Sequence, residues 1–274
     1  MKAKMFFLLT AFTMASLFFA ACGNEGANTE ANEATAADTT AQQTAPAPSE
    51  IRLSPFPSSP EFPNATMSFG YEKGSFIFRP MNYKLKQQTP DAAQKMCANS
   101  KDGQHIHLII DNEPYDAVYE STFEKAVEDG MHYILAFFGR SYHESVKSEG
   151  ASMAFKADVR KGRIHNGPMV EEAMLFYSRP KGKYVGKAET DKVMLDFFLV
   201  NTKLSPDGYK VKVLVNGEKE FTVDKWEPYF IEGLPMGDNK IKLTLVDNVG
   251  NPVNVPLNPV ERVFTLLEDP TEAK

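Results

Sequence analysis

His105 and His107 stand two residues apart in the stretch His105-Ile-His-Leu-Ile-Ile-Asp-Asn112. At that spacing on a strand both side chains point to one face, so two imidazoles meet there and supply half of a metal site. His132 and His143 are the candidates for further ligands. His143-Glu-Ser-Val-Lys147 comes near the spacing of a zinc protease and misses it, because Lys147 stands where the second neutral imidazole must be. Cys97, in Lys95-Met-Cys-Ala-Asn-Ser-Lys-Asp-Gly103, has no adjacent base or second thiol and reads as a bystander rather than a nucleophile. The chain has no phosphate-cradling Gly-rich loop, serine elbow or EF-hand loop. No catalytic residue and no cofactor follow from the sequence, an enzyme is not expected, and a metal is the lesser reading of the histidines.

The strand that carries the pair has a counterpart about 105 residues later, Lys210-Val-Lys-Val-Leu-Val-Asn-Gly217. Both alternate polar and apolar residues and end at a turn signal, as half-buried strands do. Gly130-Met-His-Tyr-Ile-Leu-Ala-Phe-Phe-Gly-Arg140 lines up with Gly237-Asp-Asn-Lys-Ile-Lys-Leu-Thr-Leu-Val-Asp247 at nearly the same offset. Lysines rarely face a core, so Lys210 and Lys212 mark the outward face. By correspondence, His105 and His107 are expected to point to solvent while Ile106, Leu108 and Ile110 pack inward.

The outward set of the first copy would be His105, His107 and Ile109 beside Tyr133, Leu135 and Phe137. That candidate binding face is apolar and aromatic where the second copy carries lysines. It needs cover from the Pro-rich strap, the second domain or a partner.

The recurrence predicts an all-β chain of two tandem immunoglobulin-like β-sandwich domains, residues 51–165 and 166–270. Short strands at regular spacing and turn signals such as Ser205-Pro-Asp-Gly208 and Asn216-Gly217 agree with it. Residues 51–63, with Pro55, Pro57, Pro60 and Pro63 around Phe56 and Phe62, read as an extended strap lying on the first domain. Trp226, the only tryptophan, is expected in core packing or a domain contact.

Residues 1–21 combine Lys2 and Lys4, an apolar run and a small-residue end at Ala20-Ala21, as an export signal does. Residues 22–50 hold no Leu, Ile, Val or aromatic residue after Cys22 and read as a disordered tether spanning roughly 30 Å. The formal charge is -6 and becomes -8 once the signal with its two lysines is removed, so nothing favours a nucleic acid. Cys22 and Cys97 are the only cysteines, which excludes a disulfide framework.

Phe19-Ala-Ala-Cys22 resembles the lipobox of bacterial lipoproteins, which implies lipidation of Cys22 and a chain anchored in the cell envelope by its N-terminal lipid. Residues 51–270 resemble envelope lipoproteins of Bacteroidetes with tandem immunoglobulin-like domains, through Gly130 to Ser145 and Leu175-Phe-Tyr-Ser-Arg-Pro-Lys-Gly182. Members sometimes carry a phosphopeptide-binding label, which implies an arginine cluster, with Arg140, Arg160, Arg163 and Arg179 as candidates. The expected function is a noncatalytic binding or structural component of the envelope, with an envelope protein or peptide as partner. The alternatives are metal binding through His105 and His107 and anion binding through the arginines.

Overall fold

Where apolar residues alternate along a strand one face is covered, and where they run together both faces are. The structure, a computed structural model, describes residues 50–271, without the side chain of Asn166. The expected export signal, Cys22 and nearly all of the tether lie outside the described residues. The first half contains β1 (Arg52–Pro55), β2 (Thr66–Glu72), β3 (Ser75–Met81), β4 (His105–Ile110), β5 (Asp116–Val118), β6 (Thr122–Glu124), β7 (Gly130–Gly139), β8 (Ser152–Arg160) and β9 (Arg163–Asn166). The second contains β10 (Met174–Arg179), β11 (Gly182–Val185), the one-turn helix α1 (Lys187–Thr190), β12 (Lys192–Val200), β13 (Lys210–Val215), β14 (Lys219–Val223), β15 (Tyr229–Glu232), β16 (Gly237–Val246) and β17 (Val260–Leu267).

The second half is a sandwich of two sheets, ordered β1-β15-β12-β10 and β11-β17-β16-β13-β14. The first half is one eight-stranded sheet, β5-β4-β7-β8-β9-β2-β3-β6. Phe69, Phe76 and Phe78 from one end of that sheet share a core with Ile106, Leu108, Ile134 and Phe138 from the other, so the sheet folds over on itself. Five antiparallel pairings recur in both halves. β2/β3, β3/β6, β4/β5, β4/β7 and β7/β8 match β10/β12, β12/β15, β13/β14, β13/β16 and β16/β17. Both halves are therefore all-β sandwiches of immunoglobulin type.

The strands that differ from simple alternation locate the joint. In β7, Ile134, Ala136 and Phe138 face the core of the first half while Leu135 and Phe137 face outward, and all five are buried. In β10, Leu175 and Tyr177 join the core of the second half while Met174 and Phe176 turn the other way. In β12, Phe197 and Phe198 divide in the same manner. The outward sets meet in a third apolar cluster of Ile109, Leu135, Phe137, Met174, Phe176 and Phe198, in which Phe137 and Phe198 stack with centroids 4.8 Å apart. Burying each such side chain contributes roughly 1.5–3 kcal/mol, and the two halves form one compact unit.

This arrangement corrects two expectations. The apolar face of the first half is not an open binding face: of the three covers expected for it, the second half is the one found, through the sheet containing β10 and β12, and not the strap. The strap does not lie on the first half alone. Its β1 pairs with β15 of the second half, and Phe56 packs on Tyr142 and Phe230. Only Phe62 reaches the core of the first half, edge-on to Tyr83. Trp226 belongs to the joint, edge-on to Phe198, and donates its indole N–H to the Phe197 carbonyl at 3.0 Å.

Candidate metal centre

β4 places His105 and His107 on one face, but that face is not wet: both side chains are fully buried. The expectation of a solvated pair fails because the lysine analogy carries the wrong information. The second copy exposes this face, whereas in the first copy β10 and the loop carrying Tyr115 lie over it. His143 reaches the pair from the turn that follows β7. That turn is closed by Arg140 N–H donating to the Glu144 carbonyl and His143 N–H donating to the Arg140 carbonyl, at 2.9 and 2.8 Å. His143 has a φ of 70° in it, a left-handed conformation that His tolerates better than most residues.

The three rings converge through one nitrogen each. His105 Nε2 lies 2.9 Å from His107 Nε2 and 3.1 Å from His143 Nδ1, and all three atoms fall within 4.8 Å of one another. Hydrogen bonding fixes the tautomer of the central ring. His105 Nδ1 is 2.8 Å from the Gly103 carbonyl, which can only accept, so Nδ1 carries the proton and Nε2 presents a lone pair. This is the pattern of a metal-ligating histidine held by a backbone carbonyl on its other nitrogen. His107 Nδ1 lies 3.2 Å from Ser178 Oγ of β10, a hydroxyl that can accept from it or donate to it.

Without an ion, His107 Nε2–H can donate to His105 Nε2 at 2.9 Å, and the conflict falls on His143. Arg179 Nη1 donates to the Tyr115 hydroxyl at 3.0 Å, so the Tyr115 proton points to its other neighbour, His143 Nδ1, at 3.3 Å. His143 Nδ1 then offers a lone pair that faces the lone pair of His105 at 3.1 Å. Reversing the His143 tautomer relieves that repulsion and leaves the Tyr115 proton without its acceptor. A cation at the centre turns converging lone pairs into ligands. Ligand nitrogens about 2.0–2.1 Å from a tetrahedral ion are about 3.3 Å apart, close to the two shorter spacings found here.

The surroundings are basic and aromatic. The Tyr115 ring lies flat on the His107 ring, centroids 3.7 Å apart and 6° from parallel. Lys181 Nζ sits 3.8 Å above the Tyr115 ring and donates to its backbone carbonyl at 2.6 Å. Arg179 is buried and also donates to the Tyr184 hydroxyl. Burial, with Arg179 and Lys181 adding to it, holds all three imidazoles neutral: His105 is lowered to about 4, and His107 and His143 fall well below their ordinary value. Lys181 is itself lowered to about 8 by burial and by Arg179.

The other expected site residues lie elsewhere. His132, near the opposite end of β7, pairs with Asp111 at 2.5 Å and does not join the centre. Ile109, Leu135 and Phe137 are buried in the joint and Tyr133 is partly buried at its edge, under Lys156. The four arginines do not gather. Arg160 pairs with Asp158 and Arg163 with Glu72 beside the turn where β8 meets the start of β7. Arg140 follows the far end of β7, ten residues of strand away at about 3.3 Å each, and contacts Glu144 and the Pro60 and Ser145 carbonyls. Tyr115, Ser178, Lys181 and Gly139 belong to the centre and were not singled out from the sequence.

No protein-family model matches the chain, and no curated protein matches it. Among solved structures, the fibronectin(III)-like modules of Clostridium thermocellum CbhA are similar at 10% identity, over 74% of this chain and 95% of that one, with a TM-score of 0.28. The architecture rests on the strand pairings given above.

Proposed function

We propose that this is a noncatalytic metal-binding protein of the cell envelope, anchored through lipid on Cys22, in which His105, His107 and His143 hold a transition-metal ion beside the joint of two β-sandwich halves. The observation that carries the reading is the convergence of His107 Nε2 and His143 Nδ1 on the lone pair of His105, whose other nitrogen is committed to the Gly103 carbonyl. Burial supports a binding role. Two of the three ligands are fully buried and His143 is partly exposed, which suits holding an ion. Envelope location and the lipid rest on residues 1–22 of the sequence.

The test is elemental analysis of the full chain, purified in detergent without a histidine tag. Wild-type protein is expected to carry close to one equivalent of metal, His107→Gln and His143→Asn to lose it, and His132→Ala to keep it. A wild-type protein that stays metal-free after incubation with first-row ions would overturn the reading. Cys22→Ala is expected to release the chain from membranes, and normal processing with unchanged retention would remove the anchor.

A further inference from the structure

The charge around the centre selects among ions. Three neutral imidazoles supply no negative charge, and the ionised groups pressing on them are cations, Arg179 on all three rings and Lys181 beside it. The one acidic group that acts on the trio is Asp102, the weakest of the influences on His105.

Two phenols flank the trio, Tyr119 against the His105 ring and Tyr115 against the His107 ring, and both hydroxyls have other partners: Tyr119 Oη is 2.7 Å from Ser100 Oγ, and Tyr115 accepts from Arg179 Nη1 at 3.0 Å. An ion bound to His107 Nε2 lies in the plane of that ring, while the Tyr115 phenol lies in a parallel plane, with ring centroids 3.7 Å apart. The Tyr115 oxygen comes nearest the trio at His143 Nδ1, 3.3 Å away. Among the described residues the group that converges on the ion is three neutral imidazoles, with no carboxylate or thiolate in it.

A buried charge costs in proportion to its square in the Born picture, so a dication is penalised about four times as heavily as a monocation here. The repulsion from Arg179 and Lys181 doubles as well. Low coordination by neutral nitrogen donors satisfies a monovalent d¹⁰ ion, which also carries half the charge.

We infer, building on the metal-binding reading above, that the centre is selective for a monovalent soft cation, Cu(I), held by His105 Nε2, His107 Nε2 and His143 Nδ1, and that Arg179 and Lys181 act as positioning charges that disfavour divalent ions.

The experiment is a pair of titrations of the full chain in detergent, one with Cu(I) under anaerobic, reducing conditions against a coloured Cu(I) chelator, and one with Zn²⁺ against a Zn²⁺ indicator. One equivalent of Cu(I) is expected to bind tightly and Zn²⁺ weakly. His143→Asn, which suits the left-handed backbone at that position, is expected to weaken Cu(I) by at least about 100-fold, and Ser178→Ala, which frees the His107 ring, by about tenfold. Lys181→Met is expected to tighten Zn²⁺ by a larger factor than Cu(I), an effect that a merely structural lysine would not produce. Zn²⁺ binding to wild type at least as tightly as Cu(I) would overturn the selectivity and leave the metal-binding reading standing. Failure of both ions to bind folded protein, or binding that survives His143→Asn and His107→Gln, would overturn both.

Discussion

Gly139 of β7 sits directly beneath the His107 ring. A Cβ built on it would come within 2.8 Å of His107 Nε2 and 2.9 Å of Cδ2. His105 is its register partner across β4 and β7, so the absence of a side chain opens the space in which the two imidazoles approach each other. Gly139→Ala is therefore expected to push the His107 ring off the centre, cost about 1–3 kcal/mol by overpacking, and abolish metal binding. Urea unfolding read together with a metal titration checks this. An alanine variant with wild-type stability and wild-type affinity would show that the contact has no consequence.

The pairing of β4 with β7, and of β13 with β16, was legible in the sequence because polar and apolar residues alternate in three of these four strands and both pairs end in turn residues. The shared face of His105 and His107 followed from their spacing alone. What alternation could not supply was cover. A strand buried on both faces reads as a continuous apolar run, and Ile134 to Phe138 and Met174 to Tyr177 are such runs. Taking the run in β7 as one apolar and one outward face produced a binding surface where there is an internal joint. His143 was one of two candidates for a further ligand, and no pattern separated it from His132: it arrives through a tight turn with a left-handed residue, and turn geometry of that kind leaves no periodic trace. The contributions of Ser178, Arg179 and Lys181 come from the other half of the chain, and no local pattern links them to β4.

The joint makes a direct prediction about its own disruption. Leu135 and Phe137 are completely buried against Met174, Phe176 and Phe198. Replacing both by lysine would bury two ammonium groups without partners, a cost of several kcal/mol each. The double variant Leu135→Lys with Phe137→Lys is expected to fail to fold, as seen by loss of the cooperative unfolding transition. A folded double variant that keeps a sharp transition would mean that the halves are not packed through this face.

Cys97 is partly buried near Phe56 and Tyr142, and burial pushes its thiol up to about 12. The thiolate is the reactive form, so at pH 8 alkylation of the native protein should be slow, and it should accelerate by orders of magnitude on unfolding in urea. Mass spectrometry after timed treatment with iodoacetamide follows both rates. Native labelling as fast as that of the unfolded chain would show an accessible, activated thiol.

Acid is the condition under which the histidine centre should cost the fold most. In metal-free protein the three imidazoles are buried neutral among Tyr115, Tyr119, Arg179 and Lys181, with Asp102 the only acidic influence on His105. The folded pKa of His105 is lowered from 6.5 to about 4, so between these values the unfolded chain takes up a proton that the folded chain refuses. Stability therefore falls as pH drops below about 6.5, and by about pH 4 the loss for His105 alone is on the order of 3 kcal/mol. His107 and His143, lowered in the same direction, steepen the fall. Urea unfolding of chelator-treated protein at pH 7, 6 and 5 measures it, with His107→Gln expected to show a shallower slope. A bound ion competes with the same protons, so loading the centre should flatten the dependence above the pH at which the ion is displaced. A metal-free protein whose unfolding free energy stays level from pH 7 to 5 would mean that these rings are not held neutral, and with that the electrostatic description of the centre would fail.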